Sequence, residues 1–173
     1  STLMRSSAAS DVYKRQEELL VRVYWEVSMN YIMIKYENEE FWIEIDKENY
    51  AIRQIIISGD NIEISCINDC LAEGKIYLYE LDGDITKIDK EKFDLKWKEC
   101  TRKYFDIWRK IKLKYPIGSK FKGNFVRYHP NGAIFKNGVA YAKKIDDVNY
   151  NIGDSILGEV CDYDEPNMWL ILD

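Results

Sequence analysis

The chain has one histidine, His129, and four scattered cysteines, Cys66, Cys70, Cys100 and Cys161. A lone histidine excludes a histidine pair for zinc, and Cys66-x-x-x-Cys70 lacks the two-residue gap of a zinc knuckle. The thiols are therefore expected to be reduced and mostly buried. No phosphate loop of the G-x-x-x-x-G-K-S/T type and no G-x-G-x-x-G occurs, so the sequence carries neither nucleotide fingerprint and no cofactor is expected. No apolar run approaches the ~18 residues of a membrane span. The apolar runs are short, as in Ile55-Ile56-Ile57 and Trp169-Leu170-Ile171-Leu172. A cytoplasmic protein without membrane contact is the expectation.

The amino-terminal stretch is set aside before the fold is read. Residues 6–16, SSAASDVYKRQ, back-translate without a gap to a sequence resembling the transposase adapter used in preparing sequencing libraries. Residues 1–16 are expected to be a translated artefact and residues 17–28 a translated leader. Trp25-Glu26-Val27-Ser28-Met29 can be encoded with GGAGGT, a ribosome-binding sequence, just before an ATG, which makes Met29 the expected start.

Residues 29–173 suffice for one ordinary domain or two small ones. Hydrophobic content of 46% with 32% charged residues describes a globular chain with a core. Charge is unevenly placed. Residues 29–86 sum to −9, residues 87–115 to +6 and residues 116–173 to −2. An acidic module, a basic helix and a near-neutral module thus lie in series, an asymmetry that can steer partners and that a solvated helix also acquires.

Tyr31–Tyr36 and Phe41–Ile45 are rich in aromatic and β-branched residues and flank the polar Glu37-Asn38-Glu39-Glu40, which suits a hairpin. Ala51–Ile57 and Asn61–Cys66, joined through Gly59-Asp60, suit a second. The Asp69–Gly74 stretch is expected to be a tight loop closing this antiparallel sheet. From Asp89 the period changes. Phe93, Trp97, Cys100, Tyr104, Trp108, Ile111 and Tyr115 recur at helical spacing, with Asp89 as N-cap and Pro116 with Gly118 as the stop. This aromatic stripe is expected to pack on the sheet rather than bind a ligand. After Pro116 the period returns to two. Lys120–Arg127, Ala133–Lys136, Val139–Lys143, Ser155–Tyr163 and Met168–Leu172 are five expected strands, with Asn137-Gly138 the strongest hairpin signal in the chain. A small closed sheet of the OB type follows from that count.

The residues of this last segment resemble a known family. YPIGSKFKGNFVRYHPNGAIF, then GVAYA, then NIGDSILGEVCDYDEPNMWLIL is similar to S1-like domains of the OB fold. The resemblance runs through Gly118, Phe121, Gly123, Phe125, Gly132, Ala133, Gly138, Ile152-Gly153-Asp154, Ile156 and Val160. It covers residues 116–173 and implies a platform that stacks unpaired bases. At the platform positions stand Asn131, Ile134 and Tyr141, one π face where the family has three aromatic groups. Residues 30–97 also resemble a bacterial domain family of unknown function, through Tyr31-Ile32-x-Ile34, Glu44-Ile45-Asp46, Tyr50, Arg53-Gln54-Ile55, Glu73 and Glu91-x-Phe93-x-x-x-Trp97. That resemblance implies a fold and no activity.

The fold expected is therefore α+β: residues 29–115 an antiparallel sheet with a long amphipathic helix, residues 116–173 a small five-stranded S1-like OB barrel. Glu44 and Asp46, two apart on a strand with Arg53 on its neighbour, are read as a structural ion pair, since nothing nucleophilic accompanies them. His129, in a turn beside Pro130, is expected to make a surface contact. No enzyme is expected. Two functions remain open. In the first, a non-catalytic protein contacts single-stranded nucleic acid, RNA foremost: Tyr141 stacks, Ile134 makes apolar contact, and Lys122, Arg127 and Lys143 meet phosphates. In the second, the acidic sheet docks a basic protein partner, as an immunity or adaptor protein does, and the barrel is a scaffold. A continuous basic stripe from the helix to Lys122 and Tyr141 would favour the first; an exposed acidic or apolar patch on the sheet would favour the second.

Overall fold

A computed structural model describes residues 31–67, 71–72, 74–129 and 132–173. The leader expected at residues 1–28, the proposed start Met29, the platform position Asn131 and residues 69, 70 and 73 of the Asp69–Gly74 loop lie outside the described residues.

The chain is α+β with two five-stranded sheets and a helical run between them. The first sheet holds β1 (Tyr31–Tyr36), β2 (Glu39–Ile45), β3 (Ala51–Ser58), β4 (Asn61–Ile64) and β5 (Asp84–Lys87), in the order β4-β3-β2-β1-β5. All pairs are antiparallel. The two expected hairpins are β1–β2 and β3–β4. Strand β5 was not anticipated; it is short, largely exposed and paired only to β1.

Both faces of this sheet are apolar, and each has its own cover. Tyr31, Met33, Trp42, Ile55 and Ile64 share one cluster with Phe93, Trp97 and Cys100 of helix α1 (Lys90–Thr101). Asp89 caps that helix, accepting from the Lys92 amide at 2.6 Å. One 3₁₀ turn, Arg102–Tyr104, joins it to α2 (Phe105–Lys114), which continues the apolar stripe through Trp108, Ile111 and Tyr115. On the opposite face Ile32, Ile34, Ile43, Ile45 and Ala51 form a second cluster, whose other members include Ile134 and Trp169 of the second sheet.

The second sheet contains β6 (Lys120–His129), β7 (Gly132–Asn137), β8 (Ala140–Lys144), β9 (Ser155–Asp164) and β10 (Trp169–Leu172). The pairing order is β10-β8-β7-β6-β9, β9 pairs β10 in turn, and only β8–β10 is parallel. Asn137-Gly138 forms the β7–β8 turn, with Gly138 at φ +61°, a region that costs glycine nothing. Phe121, Ala133, Phe135, Ala142, Val160 and Leu170 fill the inside of this sheet without exposure above 1%.

Arg53 ties the first sheet to α1. Its guanidinium is buried, bonds Glu44 on the adjacent strand and reaches Asp94 of α1 at 2.8 Å. It also lies over the Phe93 and Trp97 rings, 4.8 and 5.3 Å from their centroids. Glu44 in turn accepts from the Tyr31 hydroxyl at 2.8 Å, and burial with that bond pushes the phenol up to about 12. The Glu44–Arg53 pair is opposite in register, as read from the sequence. Asp46 does not join it, because a bulge between Glu44 and Ile45 breaks the alternation. Asp46 instead accepts from the Glu48 and Tyr50 amides at 2.8 and 2.9 Å and closes the β2–β3 turn. Replacing Arg53 by Met is expected to cost about 3 kcal/mol in urea unfolding, since Glu44 would remain as a largely buried carboxylate without its cation. A loss below about 1 kcal/mol would show the bond to be incidental.

Candidate nucleic-acid interface

Three of the residues expected to touch nucleic acid stand in one row. Arg127 pairs Ile134 across β6 and β7, and Ile134 pairs Lys143 across β7 and β8. A bulge between Phe125 and Arg127 sets this row. It flips the alternation of β6, so that Arg127 and His129 share the outward face of Ile134 and Lys143 while Phe121 and Phe125 stay inside.

That outward face is covered. Ile134 has no exposed surface, Trp169 has 1%, and both belong to the apolar cluster of the first sheet. Ile134 therefore cannot make the ligand contact expected of it. Lys143 is buried too, and its ammonium is pushed below the usual lysine range by burial, which Asp164 opposes. It is not a freely solvated phosphate contact. Tyr141 is half-buried against both apolar clusters, and the Lys136 ammonium lies 4.9 Å from its ring centroid. Arg127 is half-buried and lines a cleft of about 570 Å³ that Tyr50 and Leu71 border from the first sheet's side. Of the five, Lys122 alone is exposed.

His129 also departs from expectation. It is buried, edge-on to Trp169 with centroids 5.3 Å apart. The turn position read from sequence placed it on the surface, but β6 runs two residues further than expected and carries it under the first sheet. Burial, reinforced by Lys143 and Arg127, pushes its imidazole down to about 3. The unfolded chain takes up this proton near 6.5, so stability present above that pH is lost progressively as pH falls toward about 3. A His129→Gln variant should lose about 2 kcal/mol less than the parent between about pH 7 and about pH 4.5. Equal losses in parallel urea titrations would place His129 in solvent.

A different surface gathers cations. The Asn137 side-chain amide donates to the Lys122 carbonyl at 2.6 Å and to the Tyr115 hydroxyl at 3.4 Å, fastening the β7–β8 turn to β6 and to the end of α2. Along this seam stand Lys110 and Lys114 of α2, Lys122 of β6 and Lys136 of β7, all exposed. None forms an ion pair among the described residues, whereas Arg109, Lys112 and Lys120 are each matched to a carboxylate. At the α2 side of the seam lies a groove of about 460 Å³ floored by Ile107, Ile111, Tyr115, Val139 and Ala140 and flanked by Lys110 and Lys114. The sequence singled out Lys122 but missed Lys110, Lys114 and Lys136. The signal for Lys110 and Lys114 was the +6 of residues 87–115, which spread over a whole helix until the fold showed which end stays unneutralised; Lys136 lies outside that segment.

Among the described residues no three of His, Cys, Asp and Glu gather as a metal ion would require, and no helix is long and apolar enough to cross a membrane. Cys66 and Cys100 are buried thiols and Cys161 is half-buried. No protein-family model and no curated protein matches the chain.

Proposed function

We propose that this chain is a non-catalytic binding protein that holds single-stranded RNA along the seam between α2 and the second sheet. The second sheet is read as an S1-like OB barrel; five short strands in a ring of pairings fit that class. The observation that carries the reading is the pair of exposed lysines without ion-pair partners, Lys110 and Lys114, that flank one apolar groove, with exposed Lys122 on the strand that Asn137 fastens to the β7–β8 turn. Phosphates meet the ammonium groups and release counterions, which supplies affinity without sequence selection. A base edge enters over Val139 and Tyr115. The usual OB platform on the second and third strands takes no part, since the first sheet occupies it. With one half-covered tyrosine in place of stacked aromatics, affinity is modest and dominated by charge.

A labelled mixed-sequence single-stranded RNA, titrated with the chain at several salt concentrations, tests this. Replacing Lys110 and Lys114 together by Gln should weaken binding about tenfold and make log K against log salt shallower by about 1.4, at roughly 0.7 per phosphate contact on a single strand. Lys47→Gln, on an exposed turn elsewhere, should change neither. No binding at low salt, or equal loss in both variants, would remove RNA from this seam.

A further inference from the structure

The acidic balance of the first sheet concentrates at one end, beside a second apolar groove. This groove, about 330 Å³, lies on the face of the sheet away from α1. Ile34, Tyr36, Phe41, Ile43, Ile76 and Leu81 supply its apolar lining, and Asp82 stands on its wall. Tyr36 is 42% exposed, a large aromatic side chain left to water at the groove mouth. The same sheet face continues into the cluster that Ile134 and Trp169 close, so the second sheet covers part of it and leaves this end open.

Carboxylates gather at this end. Glu37 sits in the β1–β2 turn beside Tyr36, and Glu80 and Asp82 lie in the segment before β5, all three exposed, while Asp84 stands opposite Lys35 in the β1–β5 register and shares the α1 face. None has an ion-pair partner among the described residues, because the nearby Lys35 is matched to Glu40 at 3.8 Å. Backbone geometry fixes this placement. Gly83 has φ +100°, and a Cβ there would collide with the Lys35 carbonyl, so the Asp82–Asp84 turn presses directly onto β1 beside the groove. An apolar floor with an uncompensated carboxylate rim repels nucleic acid and anionic lipid. It fits an apolar surface that brings its own cations.

We infer that this groove docks a basic amphipathic segment of a partner protein, its apolar side chains on Ile34, Phe41 and Ile43 and its Lys or Arg residues against Glu37, Glu80 and Asp82. Helix-in-groove recognition of this kind takes its affinity from the apolar face and its selectivity from the rim. The surface shares no residue with the lysine seam, so this docking stands or falls separately from RNA binding.

The test uses the whole chain and two labelled helical peptides, one of Leu and Lys in amphipathic order and one with Glu for each Lys. The Leu–Lys peptide should bind saturably in fluorescence anisotropy, and the Leu–Glu peptide should not. Glu80→Lys with Asp82→Lys should weaken binding by about tenfold or more. Asp146→Lys with Asp147→Lys, the same charge change on another loop, should leave it intact. Hydrogen exchange with the peptide bound should slow in residues 34–43 and 76–82 of the parent chain. Equal weakening by both charge-changed pairs would reduce the effect to net charge and overturn the proposal. So would protection falling elsewhere, or no saturable binding.

Discussion

The first sheet cannot leave either face in water, and the rest of the architecture follows from that. Most antiparallel sheets expose one face, and their strands alternate apolar with polar residues. Here β1 places Tyr31 and Met33 on one side and Ile32 and Ile34 on the other, and Trp42 and Ile43 of β2 likewise split between the sides. Two covers are required. Helix α1 supplies one, anchored by Arg53 between Glu44 and Asp94. The outward wall of the second sheet supplies the other through Ile134 and Trp169. Each large side chain buried this way contributes about 1.5–3 kcal/mol.

This constraint redistributes function over the surface. The outward wall of the second sheet becomes internal core, and it takes His129 and Lys143 with it. What stays accessible is the periphery: the lysine seam where α2 meets the β7–β8 turn, and the open end of the first sheet with its carboxylate rim. The net charge of −5 conceals this division. Opposite fields on separate surfaces can steer two different partners at once, each screened by salt over about 8–10 Å.

Much of the fold was legible in the sequence because its signals are local. The Asn137-Gly138 turn, the Asp89 cap and the helical recurrence of Phe93, Trp97, Trp108 and Ile111 each arise within a few residues. The Glu44–Arg53 register was legible too, since opposite charges on paired strands constrain each other. What stayed hidden depends on remote packing. Strand β5 has only four residues and exists through its pairing with β1. The bulge that turns His129 outward from the second sheet, and so under the first, leaves no mark in composition. The two-sided apolar character of β1 and β2 is visible as residues, but which layer covers each face is set by remote packing. Reading Ile134 as a ligand contact assumed that the outward wall of the second sheet faced solvent, and only the tertiary arrangement decides that.

The central claim is that the first sheet occupies this wall in solution. It is tested most directly by selectively methyl-labelling isoleucine and adding a soluble gadolinium chelate. If the account is right, the Ile134 methyl resists relaxation as strongly as Ile32 and Ile43 on the facing sheet, while Ile145 and Ile152, both exposed, broaden at low chelate concentration. An Ile134 signal that broadens together with Ile145 and Ile152 would mean the wall is open to solvent. The outward face of the second sheet would then be free, and the account of how the two sheets share one core would be wrong.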